Sequence, residues 1–236
     1  MKIGGLQKVT LIDFPDLIAA IVFVKGCNFA CPFCFNRDLV LGNLPTLSPK
    51  TVLAFLKKRK KILDGVVISG GEPTLQPDLE AFIRKIRKLG YQVKLDTNGA
   101  QPAVLKKLLS KKLIDYVALD IKGPLNEEYA AAIGKQLFEP TVVIGSIKLL
   151  LKAKIPFEFR TTIVPKMHEK RTLRAMAKGL KKIVGQRKIT WFWQNFQPQT
   201  CLNPEFEARK PYSKETLNDF LKIAKRDYPE VKLREQ

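Results

Sequence analysis

Three of the four cysteines of this chain lie within eight residues and have a spacing that suits an inorganic group. Cys27, Cys31 and Cys34 follow the pattern C-x3-C-x2-C. Thiolates are the ligands that iron–sulfur clusters require. A four-iron cluster held by three cysteines keeps its fourth iron open for a substrate or cofactor, much as a catalytic zinc keeps one position open. The spacing therefore predicts a four-iron cluster on this loop.

Two other interpretations of the cysteines are a structural zinc loop and a set of buried, reduced thiols. A structural zinc ion needs a fourth protein ligand at a similar spacing. The only histidine, His168, and the last cysteine, Cys201, lie far downstream. Cys201 is unpaired in a loop rich in proline and asparagine, so we expect it to bind no cluster, and we expect His168 to be a surface residue rather than a base.

The cysteine spacing, with Phe33 just before the third cysteine, resembles that of the radical S-adenosylmethionine (radical SAM) superfamily. Residues 4–15 read Gly-Gly-Leu-Gln-Lys-Val-Thr-Leu-Ile-Asp-Phe-Pro and lead through residues 21–23 into the cysteine loop. This stretch is similar to that of the anaerobic ribonucleoside-triphosphate reductase activating proteins, which are glycyl-radical-enzyme activases. The resemblance covers most of the chain, with its specific motifs before Lys122.

The resemblance implies an oxidoreductase that binds a [4Fe-4S] cluster through Cys27, Cys31 and Cys34 and chelates S-adenosylmethionine at the open iron. One electron then cleaves the cofactor to a 5′-deoxyadenosyl radical, which abstracts a hydrogen atom from a glycine of a partner enzyme. The implied partner is anaerobic ribonucleotide reductase, and the implied electron donor is a flavodoxin or ferredoxin. Cofactors carry such radical chemistry, while the protein supplies orientation and excludes water.

Two positions depart from the pattern of that group. Asp16 stands where glycine is usual, and Phe35 stands where histidine is common. Neither position binds the cluster, so these departures bear on the partner rather than on the cofactor. One alternative is a small-molecule radical SAM enzyme such as a 7-carboxy-7-deazaguanine synthase. An alternative of another class is a basic, metal-stabilised nucleic-acid-binding protein.

Composition indicates an ordinary globular protein. The 236 residues are 45% hydrophobic and 27% charged, which is typical of such chains. No apolar run approaches the roughly 18 residues that a membrane helix needs, and the first residues do not resemble a signal peptide. We therefore expect a cytoplasmic protein with reduced thiols and no membrane partner.

A net charge of +20 raises the possibility of a nucleic-acid or acidic protein partner. The lysines and arginines come in short runs between apolar residues at helical spacing, as in residues 57–61 and 84–88. This pattern is typical of the outer faces of amphipathic helices. Because the charge is spread over many helices, the pattern favours solvated helix surfaces over a nucleic-acid interface.

Strand-like and helix-like segments alternate along the chain, which predicts parallel strands joined by right-handed crossovers. The predicted strands are residues 19–24, 65–69, 93–96, 116–121, 157–164 and 189–196. Six units fall short of the eight of a closed barrel. The predicted fold is therefore an α/β partial (β/α)6 TIM-type barrel of the radical SAM kind. We expect a single domain over residues 1–236: a lead-in (1–18) with a turn at Gly4-Gly5, a barrel core (19–197), and a C-terminal loop and helix (198–236).

Polar or glycine-rich segments follow the first four predicted strands, where barrels of parallel strands place their active residues. By the resemblance, Gly70, Gly71 and Glu72 receive the amino group of S-adenosylmethionine. The resemblance also assigns contacts with the methionyl end of the cofactor to three charged residues, with a monovalent cation as a further candidate. These residues are Asp96, Asp120 and Lys122. The structural alternatives are a tight turn, helix caps and a surface ion pair.

Two further residues are candidates for cofactor contacts. Arg160 lies on the fifth predicted strand, where side chains alternate between the two faces, so its orientation is open. Phe33 is placed beside the adenine by the resemblance, although packing over the cluster is an equally simple role. Trp191 and Trp193 are expected in the core.

Overall fold

The computed structural model describes residues 1–234, and the chain divides into two compact units. The first unit contains Met1–Asn28, Asp38–Ala118 and Ala153–Pro156; the second contains Phe29–Arg37, Leu119–Lys152 and the chain from Phe157 onward. The cysteine segment passes from the first unit to the second after Asn28. Cys27 therefore belongs to the first unit, and Cys31 and Cys34 belong to the second. The single domain over residues 1–236 stays a prediction.

Four neighbouring strands form the sheet of the first unit, in the order β1 (Ile3–Thr10), β2 (Ala19–Val24), β3 (Gly65–Gly70) and β4 (Gln92–Thr97). β1 is antiparallel to β2, whereas β2, β3 and β4 are parallel. β2 and β3 consist largely of small and branched apolar residues that are buried. Such runs are typical of parallel strands covered on both faces.

The predicted turn at Gly4-Gly5 is wrong, because both glycines lie inside β1. The chain reverses instead between residues 11 and 18, where the Thr10 hydroxyl donates to Asp13 at 2.6 Å and Asp16 has a φ of +63°. A pair of glycines gives a strong turn signal in a sequence. Strand pairing with β2 overrides that local preference here.

Helices and short 3₁₀ turns connect the strands of the first unit. They are α1 (Arg37–Leu41), α2 (Pro49–Lys58), a 3₁₀ turn (Pro73–Leu75), α3 (Leu79–Lys88) and α4 (Pro102–Ser110). The first residue of α1, Arg37, belongs to the second unit. Ser48 followed by Pro49 is a sequence signal for a helix start, and α2 begins there: the Ser48 side chain accepts a hydrogen bond from the Lys50 N–H at 3.2 Å, and Pro49 is the first helical residue. α3 buries an apolar face that includes Phe82, Ile83 and Ile86.

The second unit contains three neighbouring parallel strands, β6 (Phe157–Ile163), β7 (Trp191–Asn195) and β8 (Val231–Leu233). β5 (Tyr116–Asp120) begins in the first unit and ends in the second. The helices are α5 (Tyr129–Ala132), α6 (Thr141–Lys152), α7 (Lys170–Val184) and α8 (Lys214–Lys225), with a 3₁₀ turn at Pro204–Phe206. The three-residue strand β8 was not predicted, since it is too short to show a periodic pattern.

Trp191 and Trp193 lie in the core, as expected, and both are fully buried. Their rings are 5.3 Å apart at an angle of 84°, an edge-to-face arrangement. The Trp191 indole N–H donates to the Thr161 hydroxyl at 2.9 Å, which satisfies its polar atom inside the core. Within residues 1–234, no helix combines the length and the apolar character that a membrane crossing requires.

Candidate active site

The glycine segment at the end of β3 packs against the chain that leads into the cysteine loop. The Gly71 N–H donates to the Val24 carbonyl at 2.9 Å, and the Glu72 N–H donates to the Gly26 carbonyl at 2.8 Å. Gly70 has a φ of +117°, and a Cβ atom on Gly71 would overlap the Gly26 carbonyl oxygen. Both positions therefore require glycine. In the first unit, these glycines allow a close approach to the chain's own backbone.

Glu72 is buried and accepts hydrogen bonds from four donors of the first unit. Its Oε1 atom accepts from the Thr74 N–H at 3.0 Å, the Thr74 hydroxyl at 2.5 Å and the Thr97 hydroxyl at 2.7 Å; its Oε2 atom accepts from the Asn98 N–H at 2.8 Å. Burial raises the pKa of Glu72, and these donors oppose the rise. The carboxylate ties the turn after β3 to the end of β4.

Asn98, two residues after Asp96, lies beside the first cysteine. Its Nδ2 atom donates to the Asn28 side-chain oxygen at 2.8 Å and is 3.9 Å from the Cys27 sulfur. Hydrogen bonds to thiolate ligands are among the features that set the reduction potential of iron–sulfur clusters. The sequence placed Asn98 at a strand end, but an asparagine there is also common in ordinary turns and was not selected.

Asp96 lies on β4 and forms an ion pair with Lys94, two residues earlier on the same face of the strand. The Lys94 side chain is fully buried, and 17% of the Asp96 side chain is exposed. The carboxylate of the predicted residue Asp96 is therefore already paired with the ammonium group of Lys94. Lys94 was not predicted as part of the site.

In the second unit, Cys34 and Lys122 are electrostatically coupled. Burial raises the pKa of the Cys34 thiol, and the Asn36 N–H and the Lys122 ammonium oppose the rise. Burial would lower the pKa of Lys122, but the negative charges of Asp120 and of the Cys31 and Cys34 thiolates outweigh it and raise that pKa overall. Lys122 Nζ lies 2.9 Å from Asp120 Oδ2. Lys122 is therefore a fixed positive charge that favours thiolates in this unit.

The prediction that His168 is a surface residue is wrong, because only 1% of it is exposed. Its Nδ1 atom accepts the Val164 N–H at 3.0 Å, so Nε2 carries the proton and donates to the Lys122 carbonyl at 3.0 Å. Its pKa is lowered to about 4, chiefly by burial; the hydrogen bond to the Lys122 carbonyl opposes this decrease, and the Lys122 charge adds to it. The His168 main-chain N–H donates to the Val164 carbonyl at 2.8 Å, which closes a turn directly after β6. The neutral ring links that turn to Lys122, two residues after the end of β5.

Phe33 is buried, and its ring lies 6.4 Å from that of His168 at an angle of 79°. This packing in the second unit gives Phe33 a structural role whatever it contacts in a bound cofactor.

Arg160 is also buried, but so are its neighbours Phe159 and Thr161, so the face on which it lies stays open. Its Nε atom donates to Glu158 Oε1 at 2.5 Å, and the two side chains are 9% and 2% exposed. The partner is again two residues away on the same strand, so both side chains lie on one face of β6. Glu158 was missed, since an isolated glutamate in a strand usually marks a solvent-facing position.

Two segments of the second unit hold the backbone of the cysteine loop. The Ala30 N–H donates to the Ile133 carbonyl at 2.9 Å. From the other segment, the N–H groups of Leu202 and Asn203 donate to the carbonyls of Cys34 and Pro32, both at 2.9 Å. The loop after β7 therefore binds the cysteine loop directly.

Cys201 is completely buried beside these contacts. Burial raises the pKa of its thiol, and the negative charges of Glu207 and Cys34 add to the rise. A raised pKa disfavours the thiolate that metal binding requires. That Cys201 binds no cluster stays a prediction.

The sequence model of the protein family described as the radical SAM superfamily matches residues 21–178 of this chain. This chain belongs to the radical SAM superfamily. It is 33% identical over 241 residues to a Methanocaldococcus jannaschii protein provisionally named glycyl-radical enzyme activating enzyme MJ1227, covering 98% of this chain and 95% of that protein. It is also 28% identical over 197 residues to the pyruvate formate-lyase-activating enzyme of Clostridium pasteurianum, covering 80% of this chain and 79% of that enzyme.

Among solved structures, the radical SAM chain is similar to Streptococcus suis SuiB bound to S-adenosylmethionine. The TM-score is 0.66 at 17% identity, and the match covers 91% of this chain and 52% of SuiB. The chain therefore spans about half of SuiB, and the likeness concerns the fold alone. The predicted fold class, the α/β fold of radical SAM proteins, is confirmed.

Radical SAM proteins use a [4Fe-4S] cluster and S-adenosylmethionine, and the donor set of this chain fits that requirement. None of the four cysteines forms a disulfide bond, and three of them share the eight-residue segment. The Asn98 amide lies near the Cys27 sulfur, and the Lys122 ammonium favours the thiolates of Cys31 and Cys34. Within the described part of the chain, no three His, Cys, Asp or Glu side chains are grouped to hold one metal ion.

Proposed function

We propose that this radical SAM protein is a glycyl-radical-enzyme activase, and that its partner is anaerobic ribonucleoside-triphosphate reductase. The observation that carries the activase is the similarity to MJ1227, which extends over nearly the whole length of both chains. The partner is proposed from the segment before the cysteine loop, residues 4–15, which resembles that of the reductase activating proteins.

When bound, the cluster and S-adenosylmethionine supply a one-electron cleavage whose radical product takes a hydrogen atom from a glycine Cα of the partner. Cys27, Cys31 and Cys34 hold the cluster in this proposal, and Lys122 offsets part of the negative charge of the thiolates. Asn98 donates toward the Cys27 sulfur.

The remaining predicted residues orient S-adenosylmethionine in this proposal. The backbone of Gly70 and Gly71, fixed by Glu72, presents polar groups to the methionyl amino group. Side chains from three strands contact the rest of the cofactor. They are Asp96, Asp120 and Arg160, together with Phe33 beside the adenine. Each of the three charged side chains has an ion-pair partner in its own strand or just after it, which restricts its rotamers before the cofactor binds.

The proposal also concerns the surroundings of the enzyme. A flavodoxin or ferredoxin supplies the electron, and the high positive charge of the chain attracts acidic partner surfaces.

Four cysteines without a disulfide bond suit a reducing compartment, so we propose the cytoplasm.

The cluster ligands are tested by iron and sulfide analysis after anaerobic reconstitution of single alanine variants. Cys27→Ala, Cys31→Ala and Cys34→Ala should each lose most of the cluster, because each removes one of three thiolates. Cys201→Ala is the matched control and should retain full iron content, since Cys201 lies far outside the eight-residue segment. Full iron content in the Cys31→Ala protein would contradict the ligand assignment.

The activase reaction is tested by electron paramagnetic resonance on the reduced enzyme mixed with the glycyl radical protein of the same genome. A glycine-centred doublet should appear that depends on S-adenosylmethionine. If no candidate partner gives this signal while a small purine-like compound drives cofactor cleavage, the activase proposal fails and a small-molecule enzyme takes its place.

A further inference from the structure

The inner part of β4 carries a lysine that is completely withdrawn from solvent. The Lys94 side chain is 0% exposed, and its ammonium contacts Asp96 Oδ1. Val67 on β3 is paired in register with Lys94 and belongs to an apolar cluster with Phe14 and Ile21. The Tyr116 ring, which packs against the same cluster, lies 5.8 Å from Lys94 Nζ. The lysine stem therefore lies among apolar residues, and its charge is directed to Asp96.

A buried ammonium is costly unless an opposite charge compensates it. Lys94 and Asp96 are two residues apart on one strand, so their side chains lie on the same face and the pair needs no other element to form. Because the lysine is buried, it is present at Asp96 whether or not a ligand is bound.

Two other strand segments of the chain show the same arrangement. Lys122 lies 2.9 Å from Asp120, and Arg160 lies 2.5 Å from Glu158. In each case the acid and the base are two residues apart. The chain thus pairs the predicted residues Asp96, Asp120 and Arg160 with oppositely charged side chains of its own.

A monovalent metal ion at Asp96 does not fit this arrangement. An ammonium group and a potassium ion carry the same charge, and a second cation at the same carboxylate would be repelled by the first. The candidate monovalent cation is therefore in conflict with the position of Lys94.

We propose that the Lys94 ammonium takes the place of a monovalent cation at Asp96, so that the protein binds S-adenosylmethionine equally well without sodium or potassium. The inference rests on the proposed role of Asp96 in cofactor binding and is independent of the activase partner. Lys94 is a positioning residue: it fixes Asp96 and neutralises its charge without touching the cofactor.

The test measures S-adenosylmethionine binding by calorimetry on the anaerobically reconstituted protein, in tetramethylammonium, sodium or potassium chloride at one ionic strength. Tetramethylammonium is too large to enter a carboxylate site. Wild type should bind equally in all three salts. Lys94→Met, which keeps an unbranched but slightly shorter side chain and removes the charge, should bind roughly tenfold more weakly in tetramethylammonium and recover in sodium or potassium. Lys88→Met, an exposed lysine of α3, is the matched control and should behave as wild type.

Thermal melting of the same proteins gives a readout that does not involve the cofactor. The melting temperature of Lys94→Met should rise when potassium replaces tetramethylammonium, because the metal ion then neutralises Asp96, and that of wild type should stay constant. Should Lys94→Met fail to fold, Lys94→Gln and the wild-type salt series decide the question.

Three outcomes would overturn the proposal: wild type that requires sodium or potassium, a Lys94→Met protein that binds normally in tetramethylammonium, or one that stays weak in every salt. In each of these cases the cysteine variants and the glycine radical signal still test the proposed function separately. A wild-type protein that binds no S-adenosylmethionine in any salt would contradict both the role of Lys94 and the proposed function.

Discussion

The turn after β3 and the residues after β5 are held in place by different forces. At the first, Glu72 accepts only from neutral N–H and O–H groups, and two glycines press against the backbone of residues 24–26. At the second, Lys122 is held by the charge of Asp120 and by a hydrogen bond from buried His168 to its carbonyl.

The difference lies in what each region can tolerate. The hydrogen-bond donors of the first region carry no charge, and its glycine contacts leave no room for an added atom. A charged pair and a neutral histidine allow more variation in size but depend on which groups carry protons. The first region should therefore respond to changes of shape, and the second to changes of pH.

The largest effect is expected from Gly71→Ala, which tests the shape of the first region. The new methyl group would overlap the Gly26 carbonyl oxygen, so the backbone before Cys27 must move. We expect a loss of about 3 kcal/mol or more in the free energy of unfolding, measured by urea denaturation, together with poor cluster incorporation. Gly145→Ala is the control: its methyl group would meet open space in α6, and helix propensity should make it neutral or slightly stabilising. Equal stability of the two variants would show that the contact is not rigid.

The pH response of the second region should be nearly as large. The pKa of His168 is about 4 in the folded protein against an ordinary 6.5, so the unfolded chain binds the proton more tightly. The contribution of His168 to stability is therefore complete above about pH 6.5 and decreases as the pH falls toward 4, by up to about 3 kcal/mol. Urea denaturation at a series of values from about pH 7.5, above both pKa values, down to about pH 4.5, near the folded-state value, should show the decrease.

His168→Gln separates this effect from the general acid sensitivity of the protein. The variant should be less stable than wild type at neutral pH, since glutamine cannot reproduce both ring contacts, but should lose less stability on acidification. If the two proteins lose the same amount, the histidine does not control the pH response.

A smaller effect is expected from Glu72→Gln, which sharpens the comparison because it changes charge with little change of shape. The amide group would turn a donor toward N–H or O–H groups that also donate, leaving at least one buried donor unsatisfied. We expect a loss of about 2 kcal/mol in the free energy of unfolding, with Glu127→Gln, an exposed glutamate, as a neutral control. A stability equal to that of wild type would mean that the four hydrogen bonds rearrange freely.

The sequence predicted the alternating strands, the start of α2 at Ser48 and Pro49, and the fold class, because these have strong local signals. It also placed Gly70, Asp96 and Asp120 at or near the ends of strands, where the structure has them. Their roles toward the cofactor stay predictions.

The misses have a common physical cause, since each depends on contacts between residues that are distant in sequence or on burial of a charge. Lys94 and Glu158 look like solvent-facing positions of a strand, yet both are buried in ion pairs. His168 precedes a helix rich in lysine and arginine, and only the fold shows that it reaches the Lys122 carbonyl. The strand containing Gly4 and Gly5 forms because a partner strand is available, which overrides a local turn preference.

The two hydrogen bonds from Leu202 and Asn203 to the cysteine loop have a consequence for biosynthesis. Their acceptors, the carbonyls of Cys34 and Pro32, leave the ribosome long before the donors, which are made about 170 residues later. Until then, this part of the loop lacks two of its main-chain partners and its thiols are held less firmly. Delivery of iron and sulfide should therefore follow completion of the chain rather than accompany its synthesis.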